Sequence, residues 1–233
     1  FHAQVTFRIL PNLRVYAGFR SLWVQTSSHI TANDPSYSGY SSLPYGTMTA
    51  ANGFLPQFSG SWRYLPDQEV FFDVSKNMRS YYVQGLTFAS PFGVSTWDAF
   101  RYDQKHLKPE KDWVYEVGWR LMKPRYTALV TLYHVDFSDR QQKITTGVGG
   151  VREVSTVANV GAVTTNGVEG SLTVRPVKGL SIYNSISWNR STFNNNFSSG
   201  DVFFDVKGKK VPNYPSLMYK ASLTYEFKSA YAR

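Results

Sequence analysis

Four histidines are the residues of this chain best suited to catalysis or metal binding, and they stand apart from one another. They are His2, His29, His106 and His134. No two are spaced i, i+4 and none follows a Glu in a Glu-x-x-His pair, so the spacing that metal sites need is missing. The chain has no cysteine, which excludes thiolate ligands and a Cys nucleophile, and it has no Gly-x-Ser-x-Gly or P-loop motif. We therefore predict no enzyme activity, no metal site and no cofactor.

Aromatic residues near a cation form the second chemical group, and they lie in two polar segments. The predicted contact residues are Tyr37, Tyr40 and Tyr45 in the first segment and Tyr81, Tyr82, Trp97, Phe100, Arg101 and Tyr102 in the second. Exposed rings with a guanidinium offer flat contact area and charge-assisted hydrogen bonds, which suits a small ligand of net negative charge. The alternative is that the rings pack on one another or belong to an aromatic girdle. Because Trp97, Arg101 and Tyr102 are close in sequence, we predict that this segment contacts a ligand.

Composition narrows the class of protein. Aromatics make up 16% of residues, whereas charged residues are 18%, below the roughly 25% of an ordinary soluble domain. The net charge is +9, but Lys and Arg are scattered apart from one group at Lys207–Lys210, so nucleic-acid binding is not expected. No run approaches the ~18 apolar residues of a transmembrane helix, and residues 1–10 do not resemble a signal peptide.

The elements that carry these residues are strands. Side chains alternate between apolar and polar along nine runs, and helical periodicity is nowhere sustained, so the fold class is all-β. The predicted strands are Ala3–Leu10, Arg14–Thr26, Phe54–Leu65, Glu69–Ser80, Asp112–Met122, Tyr126–Ser138, Val168–Arg175, Leu180–Thr192 and Tyr219–Phe227.

The connections between these runs alternate in length. Short turns containing Pro or Gly are predicted near 11–13, 66–68, 123–125 and 176–179, and long polar loops near 27–53, 81–111, 139–167 and 193–213. Greek-key sandwiches do not sort their loops in this way. An antiparallel up-and-down barrel of the outer membrane does, with short periplasmic turns and long extracellular loops.

The two faces of each run agree with a membrane barrel. Trp113, Tyr115 and Trp119 share one face and are predicted to meet lipid, whereas Glu116 and Arg120 point inward to a wet lumen. A soluble carbohydrate-binding β-sandwich, which would bury the apolar face, is the alternative. Single-chain bacterial barrels have an even strand number, and the last residue is Arg233 rather than an aromatic. We therefore predict that residues 1–233 are an interior part of one larger barrel domain.

Several phrases resemble one family, the TonB-dependent outer-membrane receptors. They are GFLPQFSGSWRYLPDQEVFFDVSKNMR at Gly53–Arg79, LKPEKDWVYEVGWR at Leu107–Arg120, NVGAVTTNGVEGSLTVRPVKGLSIYNSISW at Asn159–Trp188 and KKVPNYPSLMYKASLTYEF at Lys209–Phe227. The resemblance implies a barrel of about 22 strands with an N-terminal plug. The plug, the TonB-contacting box and the remaining strands are absent from this sequence.

The resemblance also implies a function and partners. The function is active uptake of a scarce nutrient, mostly a ferric siderophore and sometimes cobalamin, haem or a sugar, across the outer membrane of a Gram-negative bacterium. The implied partners are TonB with its inner-membrane energising complex, the siderophore, and outer-membrane lipid and lipopolysaccharide. A passive porin or an adhesin-type barrel is the other membrane alternative.

The resemblance gives the inward-facing charges a predicted partner. Four arginines point inward by parity within a few residues of a short turn, namely Arg8, Arg63, Arg120 and Arg175, and two acids, Glu116 and Glu169, share the same lumen face. We predict that this set faces the plug, because guanidinium groups bind carboxylates bidentately. The alternative is pairing across the wall with Glu69 or Glu226.

Overall fold

The computed structural model describes residues 1–30, 32–38, 41–81, 96–146, 154–199, 202–212 and 214–227. Thirteen strands and two helices are assigned in these ranges. They are β1 His2–Leu10, β2 Leu13–Ser28, α1 Pro35–Ser38, β3 Gly46–Leu65, β4 Gln68–Arg79, α2 Trp97–His106, β5 Glu110–Met122, β6 Tyr126–Ser138, β7 Gln141–Thr146, β8 Val154–Asn159, β9 Val163–Val174, β10 Leu180–Phe193, β11 Phe197–Ser199, β12 Val202–Phe204 and β13 Leu217–Tyr225.

Nine of the strands form one antiparallel sheet in the order β1-β2-β3-β4-β5-β6-β9-β10-β13. Each pairs with the next sheet strand along the chain, so the sheet is an up-and-down meander. Two small hairpins, β7–β8 and β11–β12, are inserted in the connections before β9 and β13. The predicted all-β fold and the predicted nine strands are confirmed.

The connections differ at the two ends of the sheet. The short ones, 11–12, 66–67, 123–125 and 175–179, all lie at one end, which we call the rim. The long ones lie at the other end, the loop end, and here the predicted loop boundaries are wrong. The predicted loop 27–53 includes the end of β2 and the first eight residues of β3, and the predicted loop 139–167 includes the start of β9. Backbone pairing continues there, as between Ser27 and Thr47, although the side chains no longer alternate.

The apolar face of the sheet is uncovered in the described part of the chain. One row across five strands is apolar throughout: Phe72, Val117, Leu132, Val168 and Trp188. Trp23, Trp62 and Trp188 are 66%, 50% and 46% exposed. A sandwich would bury these rings under a second sheet. The soluble carbohydrate-binding sandwich is therefore wrong as an alternative.

Aromatic side chains on the apolar face form hydrogen-bonded and stacked groups near both ends of the sheet. Near the rim, the indole Nε1 of Trp119 donates to the Tyr64 hydroxyl at 3.0 Å, and that hydroxyl donates to Gln68 Oε1 at 2.6 Å. Toward the loop end, Trp113 and Tyr115 stack with ring centroids 6.3 Å apart. Aromatic rings with one polar tip are typical of membrane interfaces.

Two glycines allow aromatic rings to lie flat on the opposite, polar face. A Cβ at Gly118 would stand 2.2 Å from Cζ of Phe71, and a Cβ at Gly167 would stand 2.2 Å from Cζ of Tyr133. Both distances are far below van der Waals contact. Gly118 follows the Tyr-Glu pair of the β5 phrase and Gly167 precedes the Val-Glu pair of the β9 phrase, so these motif glycines have a packing role.

The buried hydrophobic residues lie at the loop end. One cluster contains Val160, Val163, Phe193 and Val211; a second contains Met48 and Phe100; a third contains Ala50, Leu55 and Met78. These three clusters therefore hold the loops against the end of the sheet and do not form a core within the wall. Neither helix in the described ranges is long and apolar enough to cross a membrane.

Candidate functional site

Helix α2 is docked on the loop end of β3 by one aromatic side chain. Phe100 is 2% exposed and packs against Met48, and Gln104 Nε2 donates to the carbonyl oxygen of Thr47 at 3.1 Å. Gly46 leaves space for the ring, since a Cβ there would stand 3.0 Å from Phe100 Cε1. These contacts fix which side of the helix is exposed.

Other predicted contact residues tie the neighbouring segments to α2. Tyr45 meets Trp97 edge-on with ring centroids 5.0 Å apart. The Tyr81 hydroxyl donates to the carbonyl oxygen of Thr49 at 3.3 Å, and burial raises the pKa of Tyr81. Packing among the loop aromatics, the alternative given by the sequence, is thus present.

A surface of three exposed side chains and the half-buried Trp97 remains beside this packing, and we call it the α2 surface. It consists of Tyr45, Trp97, Arg101 and Tyr102. Tyr102 is 61% exposed and stacks on His106 with centroids 4.0 Å apart. Arg101 is exposed, and its guanidinium stands 4.0 Å from the carboxylate of Asp98, which is almost fully exposed. The guanidinium is free to exchange that weak pair for another anion.

The remaining predicted contact residues divide into two groups. Phe100 is corrected from a contact residue to a packing anchor, because its buried ring offers no area to a ligand. Tyr40 and Tyr82 lie outside the described residues, and Tyr37 is placed only by its backbone, in α1.

Asp103 is a buried acid that sequence reasoning missed. It is 9% exposed, its Oδ2 has no hydrogen-bond partner, and burial raises the pKa of Asp103 to about 7, against a smaller lowering by His106. Phe100, Asp103 and Leu107 share one side of the helix, since they are spaced i, i+3 and i+7. That spacing is the sequence signal that could have placed Asp103 at the docking interface.

The polar face carries acids near the middle of the wall. Asp73 lies directly opposite Glu116, and Glu169 lies on the same face two strands further. Gln57 Nε2 donates to Asp73 at 3.2 Å and the Ser187 hydroxyl donates to Glu169 at 3.3 Å. Among the described residues, none of these three acids forms an ion pair.

The inward arginines have different neighbours. Arg120 and Arg63 stand 3.4 Å and 3.9 Å from the Glu69 carboxylate. These two arginines therefore pair across the wall with Glu69, which was the alternative to contact with the plug. Arg8 lies opposite Arg14 across the β1–β2 pair. Arg175 lies at the rim beside Arg125. No group of three or more potential metal ligands exists within the described residues.

A wall with one apolar face, one polar face and long loops at a single end is typical of transmembrane β-barrels. The family described as "TonB dependent receptor-like, beta-barrel" matches residues 1–232. This chain belongs to that family. No curated protein matches it.

Solved structures share the fold at low sequence identity. The copper transporter OprC is 14% identical, with a TM-score of 0.66 over 97% of this chain and 32% of its own. The ferric yersiniabactin uptake receptor FyuA from Yersinia pestis is 16% identical, with a TM-score of 0.62 over 99% of this chain and 31% of its own. The alcaligin outer-membrane receptor FauA from Bordetella pertussis is 14% identical, with a TM-score of 0.57 over 98% of this chain and 34% of its own. The chain therefore spans about a third of the length of these structures.

Proposed function

We propose that this chain forms part of the barrel wall and the extracellular ligand-binding loops of a receptor for TonB-dependent active uptake, with a ferric siderophore as the cargo. The observation that carries the proposal is the nine-stranded meander with an uncovered apolar face and a charged reverse face, in a chain of this family. Ferric yersiniabactin and alcaligin receptors among the structural neighbours support the siderophore.

The proposed location is the outer membrane of a Gram-negative bacterium. The apolar face meets lipid, the rim faces the periplasm, and the loop end faces outward toward lipopolysaccharide. The seven inner strands of the sheet pair with a neighbour on both sides, and the edge strands β1 and β13 pair on one side. Lipid contact requires such pairing of backbone polar groups. The energising partners are TonB and its inner-membrane complex, acting on a plug.

The plug would meet the polar face. Glu116 and Glu169 support this part of the proposal, because both are inward acids without an ion-pair partner in the described wall. Arg8 has only another arginine opposite it. Arg63 and Arg120 already share Glu69, so a plug carboxylate would have to compete for them.

The ligand would meet the α2 surface, with Tyr37, Tyr40, Tyr81 and Tyr82 as further proposed contacts.

The test is the triple substitution Trp97→Ala, Arg101→Ala and Tyr102→Ala in the complete receptor. Removing two rings and a guanidinium should weaken siderophore binding at least about tenfold, which corresponds to roughly 1.4 kcal/mol. The matched control is Asp98→Ala with Lys105→Ala on the same helix, which should leave affinity unchanged. Equal affinity of the triple variant and the wild type contradicts the proposed contact.

Cargo identity is tested by growth. A deletion strain should fail on limiting iron supplied as a ferric siderophore and grow normally on cobalamin or sugars. Growth of the deletion strain on limiting copper should be tested as well, because a copper transporter is among the structural neighbours. A defect confined to copper, cobalamin or sugar contradicts the proposed cargo.

A further inference from the structure

The apolar face of the sheet becomes polar toward the loop end, between β4 and β10. The row from Phe72 to Trp188 is apolar, and side chains two residues further along each strand point to the same face. The second row consists of Val74, Tyr115, His134, Asn166 and Arg190, and the third consists of Lys76, Trp113, Asp136, Thr164 and Thr192. Charged and hydrogen-bonding groups therefore share the face that is apolar in the first row.

His134 lies at the centre of a hydrogen-bonded network in these rows. Its Nδ1 lies 2.7 Å from Oδ1 of Asn166, and its Nε2 lies 3.0 Å from Oδ2 of Asp136. The Thr164 hydroxyl donates to the other carboxylate oxygen of Asp136 at 2.8 Å. Because both ring nitrogens have partners, neither is left to activate a nucleophile, and the network is not arranged for catalysis. The side chains of His134 and Asp136 are 41% and 48% exposed, so the network is open to a ligand.

Three cations flank this network on the same face. Lys76 is in the third row, Arg190 is in the second row, and Lys111 is one step beyond Trp113. The Nζ of Lys76 lies 5.4 Å from the centre of the Trp113 ring, and Arg190 is exposed. Within the described residues, none of the three cations forms an ion pair. Asp136, the one acid in the second and third rows, already has two partners, so the cations are not neutralised locally.

We call the following set the outer patch: Lys76, Lys111, His134, Asp136, Asn166 and Arg190. It occupies one sector of the face. Phe19 and Pro56 continue the third row onto β2 and β3, because Phe58, two residues from Pro56, pairs with Val74. Phe19 packs against Phe54 there, with ring centroids 5.2 Å apart. With the apolar face in lipid, as proposed, charges are tolerated only near the interface, so the outer patch belongs at the level of the headgroups.

The width of the outer patch indicates a large headgroup. The patch extends over five neighbouring strands, from Lys76 on β4 to Arg190 on β10, which is about 19 Å at a strand spacing of about 4.8 Å. A single phosphate group cannot reach both cations. Lys and Arg side chains bind phosphate oxygens, whereas the amide of Asn166 and the carboxylate of Asp136 suit sugar hydroxyls. This combination fits a headgroup that carries more than one phosphate on sugars.

We propose that the outer patch binds the phosphorylated sugar headgroup of lipopolysaccharide in the outer leaflet of the membrane. The inference rests on the proposed function, which directs the apolar face to lipid and the loop end outward. Lys76 and Lys111 bind one phosphate, Arg190 binds another, and the hydrogen-bonded network holds the sugars between them. The rings of Trp113 and Tyr115 lie at the boundary with the acyl chains.

The test measures lipopolysaccharide binding to the complete receptor, purified in detergent and freed of co-purified lipid. The probe is deep-rough lipopolysaccharide, which keeps the phosphorylated inner sugars, and native mass spectrometry gives the fraction bound. The variant Lys76→Gln, Lys111→Gln and Arg190→Gln should raise the dissociation constant at least about tenfold.

The matched control is Lys123→Gln, Arg125→Gln and Lys178→Gln, which removes the same charge from exposed residues at the rim. The control should bind the probe as tightly as the wild type. A second measurement uses the wild type alone and so does not depend on the folding of a variant. Lipopolysaccharide treated with phosphatase should bind the wild type about tenfold more weakly than the untreated probe.

Each outcome decides the proposal. Weaker binding of the patch variant but not of the control, together with weaker binding of the dephosphorylated probe, supports it. Equal loss in the control indicates a diffuse charge effect and overturns it, as does unchanged binding of the patch variant or of the dephosphorylated probe. Displacement by an equal concentration of phosphatidylglycerol would assign the outer patch to any anionic lipid and overturn lipopolysaccharide. A dimer in the wild-type spectrum that the patch variant lacks would assign the patch to a second copy of the chain and also overturn it.

Failure of this inference and failure of the proposed function are distinguishable. If the wild-type receptor inserts in the outer membrane and transports siderophore but binds the probe no better than the patch variant, the lipopolysaccharide site alone is lost. If the wild-type receptor fails to insert or transport, the proposed function is lost.

Discussion

The two faces of the same nine strands obey different rules. On the apolar face, neighbouring residues across five strands can all be large hydrocarbons, as in the row from Phe72 to Trp188. On the polar face, Phe71 and Tyr133 are accommodated only because Gly118 and Gly167 lack a side chain. Fit also matters on the apolar face, where a Cβ at Gly60 would stand 2.6 Å from Cε1 of Phe72. The faces therefore differ chiefly in the charge that they tolerate, because the proposed wall meets hydrocarbon on one face and water on the other.

The largest expected effect is a charge on the apolar face. Leu132→Arg should destabilise the folded receptor by about 2–4 kcal/mol, because its guanidinium would meet hydrocarbon. The control is the adjacent residue of the opposite face, Thr131→Arg, which places the same side chain opposite Glu169. We expect the control to change stability by less than about 0.5 kcal/mol. Urea titrations of folding into phosphatidylcholine vesicles measure both, and equal losses would remove the distinction between the faces.

An added methyl group on the polar face should cost less, and the cost should depend on one ring. Gly118→Ala should destabilise by about 1–3 kcal/mol, because its Cβ overlaps the Phe71 ring. Gly170→Ala on the apolar face is the control, since its nearest atom is Ile186 Cγ2 at 3.6 Å. In the same titration, Phe71→Ala should cancel most of the penalty of Gly118→Ala. Strictly additive losses would show that the ring is not the cause.

A pH effect should separate the loop end from the wall. The pKa of Asp103 is raised from 3.8 to about 7 when α2 is docked, so docking favours the neutral acid. The contribution is complete below about pH 3.8 and declines as the pH rises to about 7. From about pH 6 to pH 8, docking should lose roughly 1.4 kcal/mol.

Hydrogen exchange of the α2 amides measures this docking, with intrinsic rates corrected for pH. Asp103→Asn should give protection that no longer varies over this range. The amides of β5 should be unaffected in either protein. A pH dependence that persists in the Asn variant would assign the effect to another group.

The smallest expected effect is at an exposed pair of the wall. Arg120→Gln removes one of two cations from Glu69, and both arginines are about half exposed. The loss should be about 0.2–1 kcal/mol and should shrink as salt is added. A loss above 2 kcal/mol, measured by the same vesicle titration, would mean that Arg120 has a further partner such as the plug.

Sequence reasoning succeeded where one physical rule dominates. Strands between lipid and lumen must alternate with period two, so the sequence predicts β1, β2, β4, β5, β6, β10 and β13 to within two residues of their ends. The sequence does not predict strand residues where the side chains stop alternating. Gly46–Asn52 has no apolar alternation, yet it continues the ladder with β2 because backbone pairing needs no particular side chain.

At the loop end, the sequence alone likewise does not show which side chains of the candidate site are exposed. The aromatic content of residues 81–111 indicated a functional surface, but which rings are buried depends on how α2 docks. Phe100 and Tyr102 are two residues apart and were predicted alike, whereas one is buried and the other exposed. Asp103 was missed because a single acid in a polar segment carries no signal until the helix and its buried side are known.

The most direct test of the account is accessibility along β6 in the complete receptor. This chain has no cysteine, so Val130→Cys, Thr131→Cys, Leu132→Cys and Tyr133→Cys can each carry a nitroxide spin label. In lipid vesicles we expect collision with oxygen to dominate at 130 and 132, and collision with a water-soluble nickel chelate to dominate at 131 and 133. Accessibility that does not alternate, or nickel contact at 130 and 132, would contradict a wall with lipid on one face and a wet interior on the other.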